Sequence, residues 1–250
     1  MTTRPLGESW AHLSHVPLRL EPSDRAECIN ELLAGETVTE LELGEGNWVR
    51  VRLFDGYEGW LDRRQLNPVS HLWQGKPLRL SAMSSKWDAV AGGWLPAGAS
   101  VRCHEGVWHL GERIVVPAGD APEPYEGTMW DWAKSMCGVP YHWGGRSGWG
   151  FDCSGLTSIA ASLVGLSVPR DASEQWKFGH EVGPGEVCLD DIAFFQNAQG
   201  QITHVGICDG DGHVVHASGE VRVDVLNGEQ LFRREDNVVS HQLAGFRRWS

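Results

Sequence analysis

The 250-residue chain lacks a block of positive charge: 21 Lys and Arg against 33 Asp and Glu leave a formal charge of −12 at pH 7. A protein that grips nucleic acid or an anionic bilayer needs a cationic stripe, so neither partner is expected. Long apolar runs are missing too. Nowhere do about 18 apolar residues follow one another, the length at which a membrane-spanning helix is read. The opening "MTTRPLGESWAHLSH" has no apolar core of the kind that marks a secretory leader. These absences predict a protein that works in the cytoplasm. No Cys-x-x-Cys occurs, and Cys28, Cys103, Cys137, Cys153, Cys188 and Cys208 are scattered without the dense spacing of a disulfide scaffold. Reduced thiols and no structural zinc follow. What is present, 41% apolar and 22% charged residues, is the composition of a folded globular chain. Its length suits a catalytic-sized unit with smaller modules.

Residues 1–70 read as short strands. The stretch "ETVTELELGEGNWVRVRLFDGYEGWLDRRQL" alternates apolar and polar positions and turns at Gly44–Glu45–Gly46 and at Asp55–Gly56, the pattern of a small antiparallel barrel. Residues 71–122 carry Leu78, Leu80, Val101, Trp108, Ile114 and Val115 among glycine-rich turns and read as a degenerate second copy. "PAGDAPEPYEG" concentrates proline, glycine and acids and marks a linker. In residues 123–250 helices come first, one from about Thr128 to Cys137 and one from Cys153 to Val164, closed by Gly165. Strands follow in "DDIAFFQ", "ITHVGICDG", "HVVHAS", "VRVDVL" and "HQLAGFRRW". This order predicts an α+β domain with helices packed on an antiparallel sheet, preceded by small all-β barrels.

Asp152 stands where a helix N-cap belongs, which puts Cys153 in the first turn, at the positive end of the helix dipole. That end favours thiolate, so the expectation is a thiol pKa pulled below its free value of about 8.5. The glycines of "WGGRSGWG" permit close backbone approach just ahead of it. A lone cysteine there also reads as a small buried hydrophobe. The histidines weigh against that reading. In "ITHVGICDGDGHVVHAS" a turn centred on Asp209–Gly210–Asp211–Gly212 sets His204 directly opposite His216, on one face of the ribbon. One imidazole can take the thiol proton while the other holds its tautomer and orientation. His213 falls on the other face and reads as a surface residue. No carboxylate is expected to join the pair on its face, which argues against a metal site.

The stretches "YHWGGRSGWGFDCSGL", "PRDASEQW", "THVGI" and "VVHASG" resemble the successive motifs of NlpC-type peptidases, papain-like cysteine peptidases of bacterial cell-wall metabolism. The resemblance spans about residues 125–250, and "NWVRVRLFDGYEGWLDRRQL" resembles a bacterial SH3-like domain. It implies a papain-like catalytic domain with Cys153 as nucleophile, His204 as general base and His216 as third polar residue. It also implies that the hydroxyl of Tyr141 joins the Cys153 backbone N–H in an oxyanion hole; read without the family, Tyr141 is a half-buried aromatic before a loop. No metal and no cofactor are implied. Arg170, Asp152 and Trp149 fall on family-like positions without a role derivable from sequence.

Members with N-terminal SH3-like domains and no leader resemble γ-D-glutamyl-L-diamino acid endopeptidases, which process recycled wall peptides. This implies a murein peptide, L-Ala-γ-D-Glu-diamino acid, whose free amino terminus is gripped by Asp171 with Tyr57 and Glu27, and whose D-Glu meets Ser154 and Trp143. Read as plain residues, Asp171 caps a turn, Tyr57 packs in its barrel and Glu27 is a solvated charge. Trp143 and Ser154 then serve packing or helix capping. An ammonium leaving water needs charge compensation, so an acidic closed end would reject acylated peptides. Two other functions stay open on the sequence: a secreted endopeptidase or amidase of broader specificity acting on intact peptidoglycan, and a murein-binding protein with a retired active site.

Overall fold

The protein is described here from a computed structural model covering residues 5–70, 73–90 and 92–249. The outer limits of the expected divisions, at residues 1, 71 and 250, lie outside the described residues. The chain forms two compact units, one made of residues up to Tyr125 together with Trp143–Gly148, the other of Glu126–His142 and Trp149 onward.

The first unit opens with a seven-stranded sheet of β1 (Gly7–Ala11), β2 (His15–Arg19), β3 (Cys28–Leu33), β4 (Thr37–Leu43), β5 (Trp48–Arg52), β6 (Glu58–Asp62) and β7 (Leu66–Pro68), ordered β3-β2-β6-β5-β4-β1-β7. Alternation sorts its side chains: Val38, Val49, Val51 and Leu61 are buried while their neighbours are not. The turns fall at the two glycine-bearing stretches, where Gly46 (φ 64°) and Gly56 (φ 86°) take left-handed backbone. A six-stranded sheet follows, of β8 (Pro77–Arg79), β9 (Ser84–Asp88), β10 (Trp94–Pro96), β11 (Ser100–His104), β12 (Val107–Leu110) and β13 (Arg113–Pro117). Its core is not wholly its own. Trp10 and Ala34 from the first barrel are buried with Leu80, Trp87, Leu95, Val101, Leu110 and Val115. The core of this second sheet is thus completed by residues of the first.

The returning segment Trp143–Gly148, with β14 (Arg146–Ser147), is held in the first unit by a buried polar cluster. Arg146 pairs with Glu36, its backbone N–H donates to Glu31 Oε2 at 3.0 Å, and Arg79 reaches Glu36 at 2.8 Å. Burial pushes the Glu36 carboxyl up, but Arg146 and Arg79 outweigh it and hold the group below its ordinary range. Gly144 has φ 78°, and a Cβ there would stand 2.4 Å from the Cys28 carbonyl oxygen, so only glycine lets the segment lie this close to β3.

The second unit contains α1 (Met129–Ser135), β15 (Gly150–Phe151), α2 (Cys153–Leu163), α3 (Ala172–Gln175) and seven strands: β16 (His180–Val182), β17 (Leu189–Gln196), β18 (Ile202–Asp209), β19 (His213–Ser218), β20 (Glu220–Asn227), β21 (Gln230–Phe232) and β22 (Val239–Arg248). The order is β16-β22-β17-β18-β19-β20-β21, and β21 also pairs with β22, which closes six strands into a ring. The expectation of helices packed on a sheet gives the helices more than they have: 7, 11 and 4 residues beside a dominant, closed sheet. The longest of them, α2, is buried at eight of its eleven residues. Its small residues Gly155, Ala160 and Ala161 let it approach β18 and β19.

Candidate active site

Asp152 caps α2 as the sequence pattern requires: its Oδ1 accepts from the Gly155 N–H at 2.6 Å. Cys153 is therefore the first helical residue, and its own N–H has no partner within the helix. The cap is itself neutralised. Arg170 donates to Asp152 through Nη1 at 2.9 Å and Nη2 at 2.5 Å, and to Ser154 Oγ at 2.9 Å, all buried. Gln175 of α3 donates to the Ser154 carbonyl at 3.1 Å and the Pro169 carbonyl at 2.9 Å, fixing the Arg170 stretch against the helix tip.

Cys153 is 6% exposed, with the backbone N–H groups of Val205 and Ser154 in hydrogen-bonding reach of its sulfur. The nucleophile candidate thus lies against β18 at the residue following His204. The thiol pKa is raised, not lowered as the helix tip alone predicts. Burial, reinforced by the Asp152 carboxylate, outweighs Arg170 and the N–H groups and pushes the thiol up to about 12. Desolvation of a charged sulfur exceeds what one helix end returns.

His204 and His216 meet, with Nε2 of the former 2.8 Å from Nδ1 of the latter. Their register differs from the expected one. Ile207 pairs with Val215 and Cys208 with Val214, so the position opposite His216 is Gly206, and His204 lies diagonal to His216. The cause is a shorter loop: Asp209 Oδ1 accepts from the N–H groups of Asp211 and His213, and strand pairing begins one step closer to the tip. Both histidines keep their shared face because a two-residue offset preserves side-chain parity. A Cβ at Gly206 would stand 2.5 Å from Val214 Cγ1 and 2.9 Å from His216 Cβ, so the gap that His216 fills requires glycine.

Three further side chains complete the cluster. The expectation that no carboxylate joins the pair is overturned by Asp224 of β20, whose Oδ2 lies 3.0 Å from His216 Nε2. Arg222 Nε donates to the same oxygen at 3.0 Å, and the Arg234 N–H donates to Oδ1 at 3.2 Å. Burial opposes the charge on Asp224, but the His216 and Arg234 hydrogen bonds, with Arg222, hold its carboxyl at about 2. His241 of β22 stacks on His204, with centroids 4.0 Å apart and planes 14° from parallel. Burial, joined by the neighbouring imidazoles and Arg222, pushes His204 well below its ordinary pKa and His241 to about 4. His216 is lowered too, burial outweighing Asp224. Sequence reasoning missed Asp224 and His241, although an aspartate at an inward position of "VRVDVL" was a usable signal. Ring nitrogens of His204, His216 and His241 lie within 4.8 Å of one another. A metal would nevertheless need a ring to turn, because the 2.8 Å contact uses the facing nitrogens of one pair and stacked rings send their lone pairs out in parallel.

Tyr141 is placed beside the helix tip by a bridge to Phe151 and by its N–H donating to the Gly219 carbonyl at 2.9 Å. Burial first, then the charges of Cys153 and Asp152, keep its hydroxyl protonated and a donor. Asp171 occupies the N-cap position of α3 yet makes no side-chain capping bond, so the turn-cap reading does not account for it. In the first unit, Trp143 Nε1 donates to Glu27 Oε1 at 2.6 Å, bringing together two residues expected to act apart. Tyr57 packs partly buried against its barrel core. His213 pairs with Asp209 at 2.7 Å, away from the cluster.

A thiol at a helix tip, apposed to a strand that bears hydrogen-bonded imidazoles, defines the papain-like class of thiol hydrolases. Residues 138–239 match the NlpC/P60 family and residues 18–66 the bacterial dipeptidyl-peptidase Sh3 domain. The chain thus carries an NlpC/P60 cysteine-peptidase domain with a bacterial SH3 domain ahead of it. It is 28% identical over 227 residues to a Bacillus cereus γ-D-glutamyl-L-lysine dipeptidyl-peptidase, covering 75% of this chain and 66% of that protein. A Bacillus subtilis protein of the same name is 29% identical over 211 residues, covering 75% of this chain and 71% of the other. In fold, the crystal structure of an NlpC/P60 family protein from Bacillus cereus is similar with a TM-score of 0.76 at 20% identity, covering 97% of this chain and 99% of that one.

Proposed function

We propose that the protein is a cytoplasmic cysteine endopeptidase that hydrolyses the γ-D-glutamyl-L-diamino acid bond of soluble murein peptides with a free N-terminal L-alanine. The observation that carries this reading is Cys153 at the tip of α2, against the strand bearing His204, with His204 bonded to His216 at 2.8 Å. Relatives named for γ-D-glutamyl-L-lysine bonds support the substrate class.

With the thiol pushed up and the imidazole pushed down, the resting pair is neutral. Proton transfer therefore accompanies attack: the S–H bond breaks, His204 takes the proton, and the sulfur electron pair bonds to the γ-carbonyl carbon. The Cys153 N–H and the Tyr141 hydroxyl hold the resulting oxyanion. Collapse breaks the C–N bond, and the leaving amine takes the proton from His204. Water, deprotonated by His204, then hydrolyses the thioester and returns the thiol. Asp171 is assigned to the alanine ammonium and Ser154 to the D-Glu moiety; within the first unit the Trp143 indole orients the Glu27 carboxylate.

The test compares L-Ala-γ-D-Glu-diaminopimelate with the same peptide acetylated at alanine, with Cys153→Ala as control. Acetylation is expected to lower kcat/KM by at least about 100-fold, since it leaves a carboxylate without its ammonium. Equal cleavage of both peptides defeats the specificity reading, and an active C153A defeats the catalytic one.

A further inference from the structure

A hydrogen-bonded chain of two imidazoles has two directions. Either each ring donates through the nitrogen nearer the chain's carboxylate end, or the whole chain reverses, and the two states leave opposite protonation at the far nitrogen of His204. Asp224 breaks this symmetry. Its Oδ2 is 3.0 Å from His216 Nε2, and an ionised carboxylate can only accept, so His216 Nε2 must carry the hydrogen. A neutral His216 then has a lone pair on Nδ1, which accepts from His204 Nε2 across 2.8 Å. A neutral His204 that donates through Nε2 has its lone pair on Nδ1.

We propose, building on the catalytic reading above, that Asp224 is a positioning residue that sets the direction of this chain and so makes Nδ1 of His204 the basic nitrogen. Arg222 makes the role necessary. Its Nε reaches the same Asp224 oxygen that His216 does, at 3.0 Å, and Arg222 stands opposite His216 in the pairing of β19 with β20. Without the carboxylate, the charged group left beside His216 is a cation that can only donate. His216 Nε2 would become an acceptor, its Nδ1 would carry the hydrogen, and His204 would hold its hydrogen on Nδ1, where no thiol proton can be received. The Arg234 N–H on Oδ1 keeps the carboxylate turned toward both partners. His216 and Asp224 are 0% and 1% exposed at their side chains, so water does not compete for these directions.

The test reads tautomers and rates separately. Long-range ¹H–¹⁵N imidazole spectra of the wild-type chain without substrate should show His204 and His216 each protonated on Nε2 and unprotonated on Nδ1. Asp224→Ala, folded by circular dichroism, should show both rings reversed, and its kcat should fall by about 10²–10⁴-fold with little change in KM. Arg222→Ala combined with D224A removes the opposing donor and should recover at least about tenfold of that loss, a rescue that a packing role would not produce. A wild-type His204 protonated on Nδ1, or a folded D224A within about threefold of wild-type kcat, overturns the proposal. Should D224A fail to fold, the wild-type spectrum decides alone. An active C153A would instead sink the catalytic reading while leaving the tautomer assignment to stand or fall on the spectra.

Discussion

Arg170→Met is the perturbation that exposes how the nucleophile is supported. Arg170 and Asp152 are joined by contacts of 2.5 and 2.9 Å, with side chains 2% and 7% exposed. Removing one partner of such a buried pair strands the other charge, which costs about 3–5 kcal/mol. The cap bond to Gly155 survives, so the roughly 1 kcal/mol of an N-cap is not added to the loss. For a domain of this size the destabilisation corresponds to a Tm lower by roughly 6–20 °C. Asp152→Asn keeps a capping oxygen but strands Arg170 and should lose a similar amount. Asp152→Ala should lose about 1 kcal/mol more. The double variant D152N/R170M buries no charge and should be less destabilised than the two single losses added together, an interaction read from urea or thermal unfolding followed by circular dichroism. Activity should fall further than stability, because the Asp152 carboxylate already pushes the Cys153 thiol up and Arg170 opposes it. An R170M variant that melts within about 2 °C of wild type, or single losses that simply add, would refute this account of the helix tip.

Three further outcomes are expected. Alkylation of Cys153 by iodoacetamide, followed by mass spectrometry of its peptide, should accelerate steadily with pH up to at least pH 9, since the thiol is pushed up to about 12; a plateau near pH 6 would reveal a preformed ion pair instead. Gly206→Ala forces a methyl to 2.5 Å from Val214 and 2.9 Å from His216, so it should cost about 1–3 kcal/mol and disturb the imidazole pair; wild-type unfolding and turnover in this variant would contradict the close packing. His241 has a folded pKa of about 4 against 6.5 in the unfolded chain, so below 6.5 the unfolded state binds a proton the folded state refuses, and stability falls as pH drops from 6.5 toward 4. Facing it are His204, His216, Arg222 and Asp224. His241→Phe keeps an aromatic stack on His204 and should remove about 1–2 kcal/mol of that acid sensitivity between pH 7.5 and pH 5, after discounting for partial exposure; unchanged sensitivity in urea midpoints would show that the proton goes elsewhere.

Much of the candidate site is legible in the chain because its signals are local. Asp152 ahead of an apolar, small-residue run marks a helix start, and the cap bond to Gly155 is there. His204 and His216 share a face because side chains alternate with a period of two, which survived an error in register. Asp224 was harder to see, since its reach to His216 depends on β19–β20 pairing, where His216 stands opposite Arg222 and Asp224 is a diagonal neighbour. His241 was harder still. It comes to the cluster only because β21 and β22 pair and close the ring, a contact between residues that no local pattern links to His204. The same holds for Trp10 completing the core of the six-stranded sheet, and for the Trp143–Gly148 segment returning to the first unit.

The sequence by itself determined where turns, caps and strand faces fall, because backbone sterics and side-chain periodicity act over a few residues. It therefore sufficed to bring a cysteine to a helix tip and two histidines to one face. The tertiary structure alone decided the charge state of those groups. A helix end favours thiolate, but burial among distant parts of the chain removes the water that would solvate it, and that larger effect turns the resting site into a neutral thiol beside neutral imidazoles, aligned by a carboxylate from another hairpin.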